Sequence, residues 1–366
     1  VPSTTSRVGW REVAAAIGMF GLGFVVVAGV VHLGMRNPQY LHADMRSEKL
    51  AILKERSGTV CSASFGSSHV HNGFDPRAFD LTMAGSPEQT RTLNLAIAGG
   101  SQTEQRMTAL EFLKHIQTPT QTGATPKDQM APRACILILE LAAGANFTND
   151  HLVHPRAINI YDWPTTKFVL QLTSPQMGTK QRWGRVGYAL AAMGLHYLNV
   201  GMLSSNIFPA PLDQQMLHDE TTDDRRGLLV LPKVAPGFER ISKTIADAPK
   251  QPTVTQGTIV PGNRELVEEL EAASPVRTMR IAYVVMPKIA DLAETIAYPD
   301  SVETANGPVP ILNLARPDLY PQIYDAKLWY DEAHLNENGA QLATKLLAES
   351  LKNWYATHAA QTTGGR

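Results

Sequence analysis

Hydrophobic and polar positions along the chain fall into two periods, and the expected elements follow from where each one holds. From Val13 to Met35 no residue is charged. A charge-free stretch of about 23 residues is long enough to cross a hydrocarbon layer of roughly 30 Å. It suits an uncleaved membrane anchor over residues 1–36 better than a signal peptide, whose apolar core is shorter. A buried core helix is the alternative reading. Arg7 and Arg11 lie on one side, and Arg36, Arg46 and Lys49 on the other, so charge alone leaves the orientation open. Residues 37–57 read as a juxtamembrane helix, punctuated by Gly58.

Past residue 58 short apolar runs alternate with amphipathic stretches. The runs Thr59–Phe65, Thr92–Ala98, Ala134–Leu141, Arg280–Pro287 and Pro310–Leu314 read as strands. Ala134–Leu141 is nearly unbroken, as in a parallel strand covered on both faces. Glu104–Ile116 places Met107, Leu110, Leu113 and Ile116 at helical spacing, and Asn336–Tyr355 does the same with Leu342, Leu346, Leu347, Leu351 and Trp354. Arg185–Leu203 and Glu265–Ala273 also read as helices. Arg185–Leu203 suits a core helix, with an interfacial helix as the alternative. Residues 117–132 and 248–263 read as loops. Strands alternating with helices predict an α/β fold, a three-layer α/β/α sandwich around a mostly parallel, flavodoxin-like sheet. This domain spans 58–357, carries a less regular insertion at about 161–262, and ends in a frayed, disordered tail at 358–366.

Composition changes this picture little. The chain has 366 residues, a formal net charge of −1 and mixed charges throughout, so no basic stripe marks a nucleic-acid partner. Cys61 and Cys135 each fall in an apolar run. They read as small core residues, with a bridge between neighbouring strands as the alternative.

Candidate chemistry gathers at the strand ends. In a parallel sheet, ligands bind beyond the carboxyl ends of the strands. Three runs end in the turns Gly66-Ser67-Ser68, Gly99-Gly100-Ser101 and Gly144-Ala145-Asn146, and Asp331-Glu332-Ala333-His334 precedes the last helix. A serine hydroxyl becomes a nucleophile when a histidine takes its proton, and that histidine needs a carboxylate to set its tautomer. Ser68, His334 and Asp331 supply these three roles. Taken singly, each has a plainer reading as a turn residue, a surface histidine or a helix-start acid. The pairs His69-x-His71 and His151-x-x-His154 lack the carboxylates or cysteines that complete a metal site. No metal or other cofactor is therefore expected. His71, Asn72 and Trp329 are candidates to line a substrate cleft. Trp163, Trp183 and Tyr330 are candidates to stack on sugar rings or to pack in the core.

These blocks resemble the SGNH (GDSL-like) hydrolase superfamily. Gly66-Ser67-Ser68 resembles its nucleophile turn, with Ser67 where the common pattern has aspartate. Asn94-Leu95-Ala96-Ile97-Ala98-Gly99 resembles its second block, and Asp331-x-x-His334 its last. The third block, Gly-x-Asn-Asp, is only approximated by Gly144-Ala145-Asn146 with Asn149-Asp150. The resemblance covers roughly 57–150 and 275–355. It implies Ser68, Asp331 and His334 as catalytic groups, with an oxyanion hole from Ser68, Gly99 and Asn146. The anchor, the Gly-Ser-Ser turn and the sequence from His334 to Leu342 are similar to membrane-anchored SGNH-like proteins of bacterial envelope polysaccharide modification. Those include alginate and cellulose acetylation proteins and the D-alanine transfer protein of teichoic acids. That similarity implies a single-pass inner-membrane protein with a periplasmic domain. Its substrate would be a polysaccharide acceptor, and a multi-spanning O-acyltransferase or a polysaccharide synthase complex its partner. A non-catalytic subunit of such a complex, or a lipase or small-ester esterase, are the rival readings.

Overall fold

The computed structural model describes residues 9–35, 45–56, 60–85, 90–116, 135–141, 160–172, 178–198, 225–233, 236–276 and 279–362. The charge-free stretch forms one helix, α1 (Trp10–Met35), and α2 (Met45–Arg56) follows. The elements that position the site come next: β1 (Ser62–Phe65), α3 (Ser68–Gly73), α4 (Pro76–Met83), β2 (Thr92–Asn94), α5 (Gln102–His115) and β3 (Cys135–Glu140). They continue with α6 (Trp163–Gln171), α7 (Thr179–Tyr197), α8 (Phe238–Ala246), β4 (Thr253–Gln256), α9 (Pro261–Ala273) and β5 (Met279–Val285). The chain closes with β6 (Glu294–Ala297), β7 (Ser301–Thr304), β8 (Gly307–Asn313) and α10 (Glu337–Thr362).

Helix starts follow local chemistry. Ser67 caps α3, Asp75 caps α4 ahead of Pro76, and Ser101 and Glu104 form a reciprocal capping box on α5. Each satisfies backbone N–H groups that the first helical turn leaves without partners.

The strands form a six-stranded sheet in the order β2-β1-β3-β5-β8-β7. Every pairing in it is parallel except β7 with β8. Side chains alternate across it, as the strand period requires. Ala63, Phe65, Leu137, Leu139, Ile281 and Tyr283 enter one apolar cluster with residues of α5, α6, α7 and α9. Ile136, Ile138, Ala282, Val284 and Leu312 enter a second, with residues of α3, α4 and α10. Both faces are therefore covered, which is why β3 reads as an unbroken apolar run.

Several boundaries differ from the sequence reading. Residues 248–263 contain β4, which pairs in parallel with β6, so this polar stretch is not all loop. Its alternation is weak because all four β4 residues are exposed. The helix expected from Arg185 begins at Thr179, and that expected from Glu265 begins at Pro261, which fits the first helical position. Helix α10 runs on to Thr362, through part of the expected tail. The less regular insertion contributes to the core, since Tyr161, Phe168, Val169, Leu172, Ala189, Ala192 and Val260 are buried there.

Cys61 and Cys135 are bonded to each other, with Cα atoms 5.0 Å apart. The register Ala63↔Leu137 sets them side by side at the amino ends of β1 and β3. Both cysteines are buried, but the expectation of two separate core residues is overturned in favour of the alternative, a bridge between neighbouring strands. The bridge closes a sequence separation of 74 residues, and loop-entropy arguments give it roughly 4 kcal/mol. Replacing both cysteines by serine should lower the urea midpoint accordingly. The geometry around Ser68 should survive, because the bridge lies at the opposite end of β1 from Ser68. An unchanged midpoint in the double variant would show that the bridge carries no such stability.

Candidate active site

The site is built where β1, β2 and β3 end. Ser68 opens α3 directly after β1, and Ser67 takes the cap position with its side chain accepting the His69 N–H. This division matters, because the helix start is held by Ser67 and leaves the Ser68 hydroxyl for other work. The tail of β2 runs on beside β1: Leu95 N–H donates to Ser64 O at 2.8 Å and Ile97 N–H to Gly66 O at 3.0 Å. That pairing carries Gly99 and Gly100 up to the Ser67-Ser68 turn. Gly99 has φ +63°, a left-handed conformation that glycine adopts without strain.

The acid and the base arrive from the far end of the chain. Trp329 and Leu335 form an antiparallel bridge that closes the turn between them. Within it, Asp331 Oδ1 accepts the N–H groups of Ala333 and His334, both at 2.8 Å. Its other oxygen lies 2.8 Å from His334 Nδ1. His334 Nε2 lies 2.9 Å from Ser68 Oγ. Residues 266 positions apart in sequence thus form one hydrogen-bonded series: carboxylate, imidazole, hydroxyl. Burial pushes the Asp331 carboxyl up, but the hydrogen bond from His334, the Ala333 N–H and the charge of His334 outweigh it, and the net direction is down. A carboxylate held ionised in this way keeps the proton of His334 on Nδ1, leaving Nε2 to accept from the serine.

Asn336 secures the turn. Its side chain donates to Lys327 O at 2.8 Å and Lys233 O at 3.0 Å, and it accepts the Gly339 N–H at 3.1 Å at the start of α10.

Glu140 was not among the residues singled out from sequence. It ends β3, and its carboxylate accepts the Ser67 N–H through one oxygen and the Ser67 hydroxyl, at 3.0 Å, through the other. Ser67 Oγ also lies 2.9 Å from His69 Nδ1. Because the single hydroxyl proton goes to Glu140, His69 must donate from Nδ1, which sets its tautomer. The His69 ring stacks on His334, with centroids 5.4 Å apart and planes 19° apart. Burial pushes the Glu140 carboxyl up, and the His69 contact, the charge of His69 and the two Ser67 donors together bring it down. Gly66 makes room for it, since a Cβ there would stand 2.6 Å from Glu140 Oε2. Gln105 clamps the Glu140 backbone, donating to its carbonyl at 3.0 Å and accepting its N–H at 3.1 Å. The available signal was a lone carboxylate closing an otherwise apolar strand.

Asn94 is a second supporting residue. Fully buried, it donates to the carbonyls of Val70, His71 and Phe74 and so ties β2 to the end of α3.

The expected substrate contacts are corrected. His71 and Trp329 are fully buried and Asn72 is 5% exposed, so none of the three lines an open cleft. Asn72 donates to Leu229 O at 3.0 Å, and the Trp329 indole donates to Ile323 O at 3.0 Å. These side chains hold the segments around the site rather than a ligand. Trp163 and Trp183 are exposed and Tyr330 is half-buried. Asn146, Asn149, Asp150, His151 and His154 lie outside the described residues. Among the described residues no group of three or more His, Cys, Asp or Glu is gathered for a metal ion.

Compared with models of known protein families and with curated proteins, the chain gives no match.

Proposed function

We propose that this chain is a membrane-anchored serine acyltransferase or esterase of the SGNH type, with an α/β/α sandwich domain. Its substrate would be the O-acyl groups, O-acetyl foremost, of an envelope or secreted polysaccharide. The observation that carries the reading is the 2.9 Å contact between Ser68 Oγ and His334 Nε2, with Asp331 on the opposite ring nitrogen.

In this reading Ser68 Oγ attacks the acyl carbonyl carbon while its proton passes to His334 Nε2. The tetrahedral intermediate collapses, the donor's ester bond breaks, and His334 returns the proton to the leaving alcohol. The acyl group is now on Ser68. An acceptor hydroxyl then gives its proton to His334, its oxygen attacks the acyl carbon, and Ser68 leaves with the proton restored. Backbone N–H groups of Ser68 and Gly99, with the Asn146 amide, are the proposed oxyanion donors. Water as acceptor gives hydrolysis, and a sugar hydroxyl gives transfer.

One feature supports a membrane anchor and another a domain outside the cytoplasm. Helix α1 is apolar enough over Trp10–Val30 to cross a membrane. The Cys61–Cys135 bridge suits an oxidising compartment. Arg7 and Arg11 then mark the cytoplasmic side.

The test uses the full chain in lipid nanodiscs with p-nitrophenyl acetate as donor and soluble cello- or mannuronate oligosaccharides as acceptors. Nitrophenol release, with acetylated oligosaccharide detected by mass spectrometry, is the expected result. Release without acetylated sugar would assign an esterase. No release and no acyl-Ser68 would overturn the catalytic reading.

A further inference from the structure

The stack of His69 on His334 is a contact that the proposed chemistry does not use. The two rings lie 19° from parallel with centroids 5.4 Å apart, within the range of an offset aromatic pair. Two further contacts hold the His334 ring: Asp331 at Nδ1, and Ser68 Oγ at 2.9 Å from Nε2. They do different work. Asp331 sits three residues before His334 in the turn closed by the Trp329–Leu335 bridge, so it fixes the ring to its own turn. Contacts with α3 fix the ring relative to Ser68. Among the contacts described for the ring, two reach α3, the bond to Ser68 and the stack on His69.

The first of these is lost during the reaction. Once Ser68 Oγ carries an acyl group it has no proton to give, and its bond to Nε2 goes. His334 must then stay in place to take the proton of the incoming hydroxyl or water. At that stage Asp331 and the His69 face remain. His69 follows Ser68 in the first turn of α3, so its place beside Oγ does not depend on the acyl group.

His69 is itself anchored. Its Nδ1 lies 2.9 Å from Ser67 Oγ and 3.6 Å from Glu140. Ser67 in turn donates its hydroxyl and its N–H to the Glu140 carboxylate, whose backbone Gln105 clamps on β3. One nitrogen of the ring is thus tied to the central sheet while its face meets the second imidazole.

We infer that His69 is a positioning residue for the second half of the reaction: anchored through Ser67 to Glu140, its ring holds the His334 imidazole over acyl-Ser68 until the acceptor gives up its proton. The inference rests on the acyl-serine chemistry proposed above and deepens it by dividing the work around His334. Asp331 sets the tautomer, Ser68 orients the ring before acylation, and His69 orients it afterwards.

The experiment separates the two halves in the full chain held in lipid nanodiscs. Phosphonylation of Ser68 by a fluorophosphonate and the first phase of nitrophenol release from p-nitrophenyl acetate report the first half. Decay of acetyl-Ser68 after donor removal, followed by mass spectrometry, reports the second. His69→Ala should lengthen the life of acetyl-Ser68 by up to roughly 10²-fold, the scale of loss from a misplaced reacting group, and slow the first half far less. Equal slowing of both halves, or of neither, overturns the inference. His69→Asn keeps a side-chain N–H donor for Ser67 and has no ring, so its acetyl-Ser68 should decay as slowly as that of His69→Ala. Decay at the wild-type rate would show that His69 only ties down the turn, and overturns the inference. If the alanine variant does not fold, the asparagine variant carries the comparison of the two halves. Glu140→Gln should slow the same step, and should add nothing in the His69→Ala background, because residues acting in one series do not add. Additive losses overturn the anchoring of His69 by Glu140. A wild-type protein that forms neither acetyl- nor phosphonyl-Ser68 overturns the acyl-serine reading itself, and the inference with it.

Discussion

Alanine at position 68 is expected to lower ester turnover by on the order of 10⁶-fold, the scale seen when a serine nucleophile is removed from an intact triad. Labelling by a serine-reactive fluorophosphonate should disappear with it. Stability should stay within roughly 0.5 kcal/mol, as for substitutions away from structural features. The reason for the separation is local. The cap of α3 is the Ser67 side chain, and Glu140 grips Ser67, not Ser68. Among the contacts described, the Ser68 hydroxyl bonds His334 Nε2. Removing it takes away the nucleophile and leaves the turn's own hydrogen bonds in place. Kinetics with p-nitrophenyl acetate, mass mapping of the label and a thermal melt would be read together. Turnover retained by a folded Ser68→Ala protein would end the assignment of Ser68.

Asp331→Asn should cost about 10⁴ in kcat, the scale expected when the histidine loses its correct tautomer. One oxygen of Asp331 accepts the backbone N–H groups of Ala333 and His334, and the other faces His334 Nδ1. Asparagine can keep the first pair only by turning its NH₂ toward Nδ1. That donor at the position of the nearer oxygen, 2.8 Å from Nδ1 against 3.0 Å for the other, favours the imidazole proton on Nε2, where it meets the Ser68 hydroxyl instead of accepting from it. Turn and fold persist while the base is disabled. The discriminating measurement is kcat alongside the ¹⁵N shifts of the His334 ring. A loss of less than tenfold would show that Asp331 holds the turn and does not orient the base.

Both predictions concern residues that were legible in the chain, and the reason is that their chemistry is local. A serine in a tight turn after an apolar run, and an acid three residues before a histidine, are short patterns with fixed geometry. The strands were legible for the same reason: β1, β3 and β5 are buried on both sides, so composition alone marks them. The supporting residues were not legible. Glu140 acts through Ser67, 73 positions away, and only the pairing of β1 with β3 brings them together. His69 looked like half of a metal pair. The structure separates it from His71 by burial, placing one ring against His334 and the other in the interior.

The failures have one physical origin. His71, Asn72 and Trp329 are chemically suited to a cleft, but which side of a short helix or turn faces solvent is set by what packs on it. Here Leu229 and Ile323 supply carbonyls that satisfy Asn72 and Trp329 in the interior. The strand β4 was missed because its residues are exposed and its stability comes from pairing with β6. By itself the sequence determined the α/β alternation, the apolar α1, and the identity of the Ser68, His334 and Asp331 groups, because each depends on neighbours within a few residues. Only the tertiary structure decided that these groups lie within hydrogen-bond reach, that Cys61 meets Cys135 and that Glu140 grips the Ser67-Ser68 turn. Those facts depend on strand order and helix packing, and no short stretch of the chain encodes them.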